Sequence, residues 1–151
     1  MNYTCDPSLY WLNPQLLELL REAIGGERED RLFYQFLINE APNQYEKEII
    51  KSIQNDEIKH NMMFRSIYTN LTGTEIEPDN SNVFNKPDNY IRGLEQALFG
   101  ELAAVEKYRK IRVELPCEYQ RDMLFEIITD ELKHSSKYNY LFTLNMTQNM
   151  R

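Results

Sequence analysis

The chain repeats itself. Sliding its first half forward by 74 positions, without a gap, lays Leu20 on Leu94, Ala23 on Ala97, Gly26–Glu27 on Gly100–Glu101 and Tyr34 on Tyr108. The match runs on through Glu40 and Glu114, Pro42 and Pro116, Tyr45 and Tyr119, and Ile53 and Ile127. It closes on a shared D-E-[IL]-K-H, at Asp56–His60 and again at Asp130–His134. A duplication of this length restricts the fold to two equivalent units related by a pseudo-twofold axis. The only two histidines of the chain both lie in the repeated motif, each three residues after a glutamate.

Each unit reads as two helices. Leu16, Leu20, Ala23, Glu27, Tyr34, Leu37 and Ala41 recur at spacings of three, four and seven, which predicts a helix over about 14–40. Asn13 caps it, Pro14 opens it, and Ala41-Pro42-Asn43 breaks it. Ile50, Ile53, Glu57, His60, Phe64, Ile67 and Leu71 form the stripe of a second helix, about 44–71. Leu94, Ala97, Glu101, Tyr108 and Ile111 mark a third, about 89–114. Leu124, Ile127, Glu131, His134, Tyr138 and Leu141 mark a fourth, about 118–145. Residues 72–88 are rich in turn formers and carry no helical period, so they read as a crossover. Two short turns and one long connection predict a single all-α domain over 1–151. Its architecture is a four-helix bundle of two antiparallel helical hairpins joined by a long crossover, a ferritin-like connection pattern.

The polar marks on the inward stripes need a chemical reason. Residues i and i+3 share a helix face, so Glu57 and His60 point together, as do Glu131 and His134. Glu27 and Glu101 occupy the inward stripes of the other two helices. Four ionised carboxylates inside a bundle cost several kcal/mol each in desolvation and repel one another. No Arg or Lys lies on the stripe beside Glu57 or Glu131, whereas two divalent cations would balance the charge and two imidazoles would complete the shell. The competing reading of a lone Glu-x-x-His is a solvated surface pair. Tyr34 and Tyr108 follow Glu27 and Glu101 by two turns, so they stay inward and can hydrogen-bond a ligand carboxylate, or simply fill the core. Asp56 and Asp130 are rotated about 100° from their glutamates. They can accept the second ring N–H of the histidine across the bundle, or lie on the helix surface.

Composition excludes some partners. A formal net charge of −7 argues against nucleic acid and against an anionic membrane surface, both of which want a basic face. No apolar run approaches the roughly 20 residues that span a bilayer, and the N-terminal residues show no signal-peptide pattern. Cys5 and Cys117 stand in unlike contexts and form no CxxC, which suggests two free thiols in a reducing compartment and cytoplasmic residence, with a single disulfide as the alternative.

The marks E-x6-Y and DExxH, each present twice, resemble the ferritin-like superfamily, and most closely its rubrerythrin branch. The resemblance covers about residues 14–145. It implies Glu27, Glu57, His60, Glu101, Glu131 and His134 as ligands to two iron ions, with Glu57 and Glu131 bridging. It also implies a di-iron oxidoreductase of peroxidase or ferroxidase type, reacting with dioxygen or hydrogen peroxide. Manganese, mixed iron–manganese, or zinc in vitro would also suit four carboxylates and two nitrogens. The alternative is a non-catalytic metal-binding protein: an iron buffer, a sensor or a structural bundle. Two departures narrow the comparison. Rubrerythrins carry a further ligand glutamate where this chain has Ala104, so the ligand exchange tied to that glutamate is not expected. Their rubredoxin domain with paired CxxC motifs has no counterpart here, which leaves electrons to a separate donor or to Fe(II) itself. Set beside cage ferritins, the chain leaves no room for a fifth helix, which argues against bulk iron storage. A homodimer is compatible with a bundle of this kind.

Overall fold

The computed structural model describes residues 13–77 and 84–148; the side chains of Glu27 and Gln148 also lie outside the described residues. Five helical segments make up four bundle helices. They are α1 (Pro14–Ile24), α2 (Glu27–Glu40), α3 (Gln44–Thr72), α4 (Tyr90–Glu114) and α5 (Glu118–Gln148). No strand occurs among the described residues.

The helix starts follow from short polar side chains that satisfy free backbone N–H groups. Asn13 Oδ1 accepts from Gln15 N at 2.9 Å, Asn43 Oδ1 from Glu46 N at 3.0 Å, and Asn89 Oδ1 from Arg92 N at 3.0 Å. Gly73, with φ of 71°, ends α3 in the left-handed conformation that favours glycine. Arg121 fastens the α4–α5 turn by donating to Leu115 O and Pro116 O at 2.8 and 3.0 Å.

The first helix departs from expectation. Instead of one rod over 14–40, the chain breaks at Gly25–Gly26. Gly26 takes a φ of 87°, which a side chain would resist. The break frees backbone groups, and α3 takes up one of them: Asn61 Nδ2 donates to Ile24 O at 3.0 Å. The apolar stripe continues across the break, which is why periodicity alone does not reveal it. The expectation of two free thiols is also corrected, because Cys117 is disulfide-bonded and buried. The other cysteine, Cys5, lies outside the described residues.

Apolar side chains form two plugs. Leu16, Leu20, Phe64, Ile67, Ile111, Leu124 and Ile127 centre one; Leu37, Ile50, Ile53, Leu94, Tyr138 and Leu141 centre the other. Each bundle helix passes from one plug to the other. A polar layer therefore lies between them, where the stripes switch from aliphatic residues to glutamate and histidine. At the far end of the second plug the fully buried Glu46 accepts three hydrogen bonds. The donors are Tyr90 Oη at 2.9 Å, Asn145 Nδ2 at 2.8 Å and Asn43 Nδ2 at 2.9 Å. That one carboxyl group joins α3, α4 and α5.

Candidate metal centre

Helical register brings the polar layer together. Glu57, Glu101, Glu131 and His134 each offer one ligand atom, and these atoms lie within 4.8 Å of one another. His60 joins through Nδ1, which is 3.1 Å from Glu131 Oε1 and 3.4 Å from Glu57 Oε1. His134 Nδ1 lies 3.1 Å from Glu57 Oε1. The two imidazole rings are 5.7 Å apart, centre to centre. The ring nitrogens have divided roles: both Nδ1 atoms face the carboxyl groups, and both Nε2 atoms face outward.

Each outward nitrogen meets an aspartate from the opposite hairpin. His60 Nε2 is 3.2 Å from Asp130 Oδ2, and His134 Nε2 is 3.0 Å from Asp56 Oδ2. An aspartate in this place fixes the ring tautomer with its proton on Nε2, leaving Nδ1 as a lone-pair donor toward the centre. Asp130 is held in turn by an ion pair to Lys133. The lysines of the two motifs are solvent-exposed, Lys59 pairing with Glu126.

The fit of this set to metal ions rests on unpaired atoms. Glu57 Oε1, Glu131 Oε1, His60 Nδ1 and His134 Nδ1 are buried and face one another, with no hydrogen-bond partner outside the cluster. Buried polar atoms normally find partners, and four such atoms converging on one point are what metal coordination would satisfy. Oxygen-rich donors with two imidazoles suit iron or manganese.

Protons otherwise carry the burden. Burial and the neighbouring Glu101 and Glu57 push the Glu131 carboxyl up to about 9, against the pull of His60. Burial opposes charge on His60, but Glu131 and Glu57 override it and lift its pKa to about 10. His134 is likewise lifted to about 10, against burial, by Glu101, Glu57 and Asp56. Glu57 is held below the usual range because His134 and His60 outweigh its burial. At neutral pH the metal-free centre therefore balances its charge with protonated imidazoles and a protonated Glu131.

A cavity of about 350 Å³ leads to this cluster between α2 and α4. Glu29, Asp30 and Lys107 border it, and Glu57, Glu101 and Glu131 line it along with Tyr34, Tyr108 and Tyr138. The Asp30 carboxyl is pushed up to about 7 by its surroundings, first by desolvation and then by Glu57, Glu29 and Glu101. A second cavity, of about 510 Å³, reaches Glu57 and His60 from the α1–α3 side.

Of the residues expected at the site, Glu57, His60, Glu101, Glu131 and His134 converge, with Asp56 and Asp130 behind the histidines. Glu27 is the first residue of α2, at the break, but its side chain lies outside the described residues. Tyr34 and Tyr108 are buried and line the cavity; among the described residues neither hydroxyl hydrogen-bonds a carboxyl group of the cluster. Both phenols are held far above their ordinary range, by burial first and then by the nearby acids, so they remain O–H donors. Tyr138 is the residue that sequence reasoning placed on the stripe without a role. Its spacing of seven from Glu131 equals that of Tyr34 from Glu27, which was the available signal.

Known proteins point the same way. The rubrerythrin family model matches residues 18–142. An uncharacterized protein of Bacillus subtilis (strain 168), YhjR, is 29% identical over 139 residues, covering 92% of this chain and 94% of that protein. No solved structure matches. With its paired hairpins, its repeated Glu-x-x-His helices and this match along most of its length, the chain belongs to the rubrerythrin family, within the ferritin-like superfamily.

Proposed function

We propose that the protein holds two iron ions at this centre and uses them to reduce hydrogen peroxide or dioxygen. The observation that carries the proposal is the convergence of four buried ligand atoms that face only one another. Glu57, Glu101, Glu131, His60 and His134 would hold the metals, with Glu27 as the sixth ligand by its register with Glu101. Two ferrous ions would each supply one electron, so that one hydrogen peroxide and two protons yield two waters.

The chain's own residues set the conditions for that exchange. Asp56 and Asp130 keep the imidazoles oriented with Nδ1 inward. Apolar plugs flank the centre on both sides along the bundle. Tyr34 and Tyr108 keep their protons and offer hydrogen bonds to whatever enters the cavity. The cavity, of about 350 Å³, has room for a small oxidant. Electrons come from a separate protein or from Fe(II) in solution. No helix is long and apolar enough to cross a membrane among the described residues.

Anaerobic titration with Fe(II) should show uptake of about two ions per chain, and added peroxide should oxidise them faster than it oxidises Fe(II) in buffer. Glu57→Ala and Glu131→Ala should each abolish paired uptake, since each removes a carboxyl group shared by both halves. Retained stoichiometry in either variant would sink the ligand assignment. Binding without accelerated oxidation would leave a metal buffer or sensor.

A further inference from the structure

The two ends of the centre are not equivalent, and the difference is one hydroxyl. Tyr138 on α5 is 0% exposed, and its hydroxyl proton meets no acceptor at hydrogen-bond distance. The residue 74 positions earlier is Phe64, whose ring packs on Tyr108 at 4.8 Å between centroids. Phenylalanine therefore satisfies the core on one side of the pseudo-twofold axis. On the other side the chain keeps an unpaired phenol, which is unfavourable in a dry interior.

The place of that phenol suggests what would pair with it. Tyr138 lines the same cavity as Glu57, Glu101 and Glu131, with Tyr34 beside it. The two hydroxyls neighbour each other, with the Tyr34 O–H leaning on the Tyr138 oxygen, and burial above all keeps both protonated. One end of the centre thus presents two O–H groups, from Tyr34 and Tyr138. The opposite end presents one, from Tyr108, backed by the Phe64 ring.

We propose that the Tyr138 hydroxyl, with Tyr34, forms a one-sided subsite that hydrogen-bonds a small oxygen ligand, hydrogen peroxide or the water that replaces it, beside the metal centre. This rests on the metal-centre reading. Tyr138 donates its proton to the ligand oxygen, and the ligand supplies the partner that the protein lacks. A ligand entering the cavity is drawn to the Tyr34–Tyr138 end, so a chain with twofold ligands handles its oxidant asymmetrically.

The test compares wild type with Tyr138→Phe and Tyr34→Phe, each loaded with iron, oxidised in air and titrated with azide, a small hydrogen-bond acceptor. Tyr138→Phe should keep two irons per chain and bind azide about tenfold more weakly, the worth of one hydrogen bond. Tyr34→Phe should shift azide binding in the same direction. Without metal, Tyr138→Phe should melt no lower than wild type, because the lost O–H had no acceptor for its proton. Unchanged azide affinity in both variants, with iron uptake intact, overturns this subsite alone. So does a Tyr138→Phe protein that melts lower without metal while binding azide normally, which would mark the hydroxyl as a structural group. A wild-type protein that takes up no iron removes the metal reading, and the subsite falls with it.

Discussion

The two hairpins share a pattern and differ in how tightly they close. In the second, α4 packs on α5 far more extensively than α1 or α2 packs on α3 in the first. The Gly-Glu pair shows the difference at one point. Gly100–Glu101 lies inside the unbroken α4, whereas Gly26–Glu27 straddles a helix break, with Gly26 at φ 87°. Position 104 is alanine where the first hairpin has Asp30, and position 64 is phenylalanine where the second has Tyr138. The halves keep the candidate ligands in common and differ in what surrounds them. The second hairpin packs tightly on itself, and the first opens cavities beside its break.

The largest expected effect tests whether the halves hold metal equally. Asp130→Ala and Asp56→Ala should each weaken metal binding by roughly 10–100-fold, measured by competition with a chromophoric chelator. Asp130 should cost more, because its side chain is 11% exposed against 40% for Asp56. Equal losses would mean that burial of these contacts does not matter to the centre.

A pH series sharpens the shared part of the comparison. His60 and His134 rise from 6.5 unfolded to about 10 folded, so their contribution to stability is whole below about 6.5 and is lost as pH climbs through about 10. Glu131, raised from 4.5 to about 9, has the same sign. Glu57 and Asp130 are lowered, so their contribution is present above the usual carboxylate range and fades in acid. The metal-free protein should thus lose melting temperature from neutral toward pH 10. Metal must displace the same protons, so the rise in melting temperature on adding metal should grow over that window. A metal-induced rise that shrank with pH would contradict this balance of protons.

The smallest effect is the most local. Gly26→Ala forces a side chain into the left-handed region and should destabilise the metal-free fold by about 1–2 kcal/mol. Gly100→Ala meets nothing within 4 Å of the new Cβ and should stabilise by about 0.5–1 kcal/mol, since glycine is a poor helix former. Urea unfolding curves measure both. Equal signs would remove the contrast between the two Gly-Glu pairs.

Much of this was readable before any coordinates. Asn13, Asn43 and Asn89 announce their helices because a short polar side chain before an apolar stripe has one obvious use. The aspartate beside each Glu-x-x-His also pointed across the bundle, since a rotation of one residue step carries it from its own stripe toward a neighbour. The break at Gly25–Gly26 was hidden because a bent helix can keep its apolar stripe on the same side, and periodicity reads only the stripe. Tyr138 carries no mark of a role in the repeat, because its twin is Phe64 and only matching pairs are singled out there. The disulfide at Cys117 could not be chosen over free thiols from the sequence, as bonding depends on where the chain brings sulfurs together and not on their spacing.

Glu46 gives the design a further consequence. Its three hydrogen bonds fasten α3, α4 and α5 at an end of the molecule remote from the candidate centre. Many small metal-binding domains acquire their shape only when the ion arrives. A chain bolted at its end, with its imidazoles already braced by aspartates, meets the ion as a finished receptor. Loading then depends on passage and proton release, and scarcely on folding.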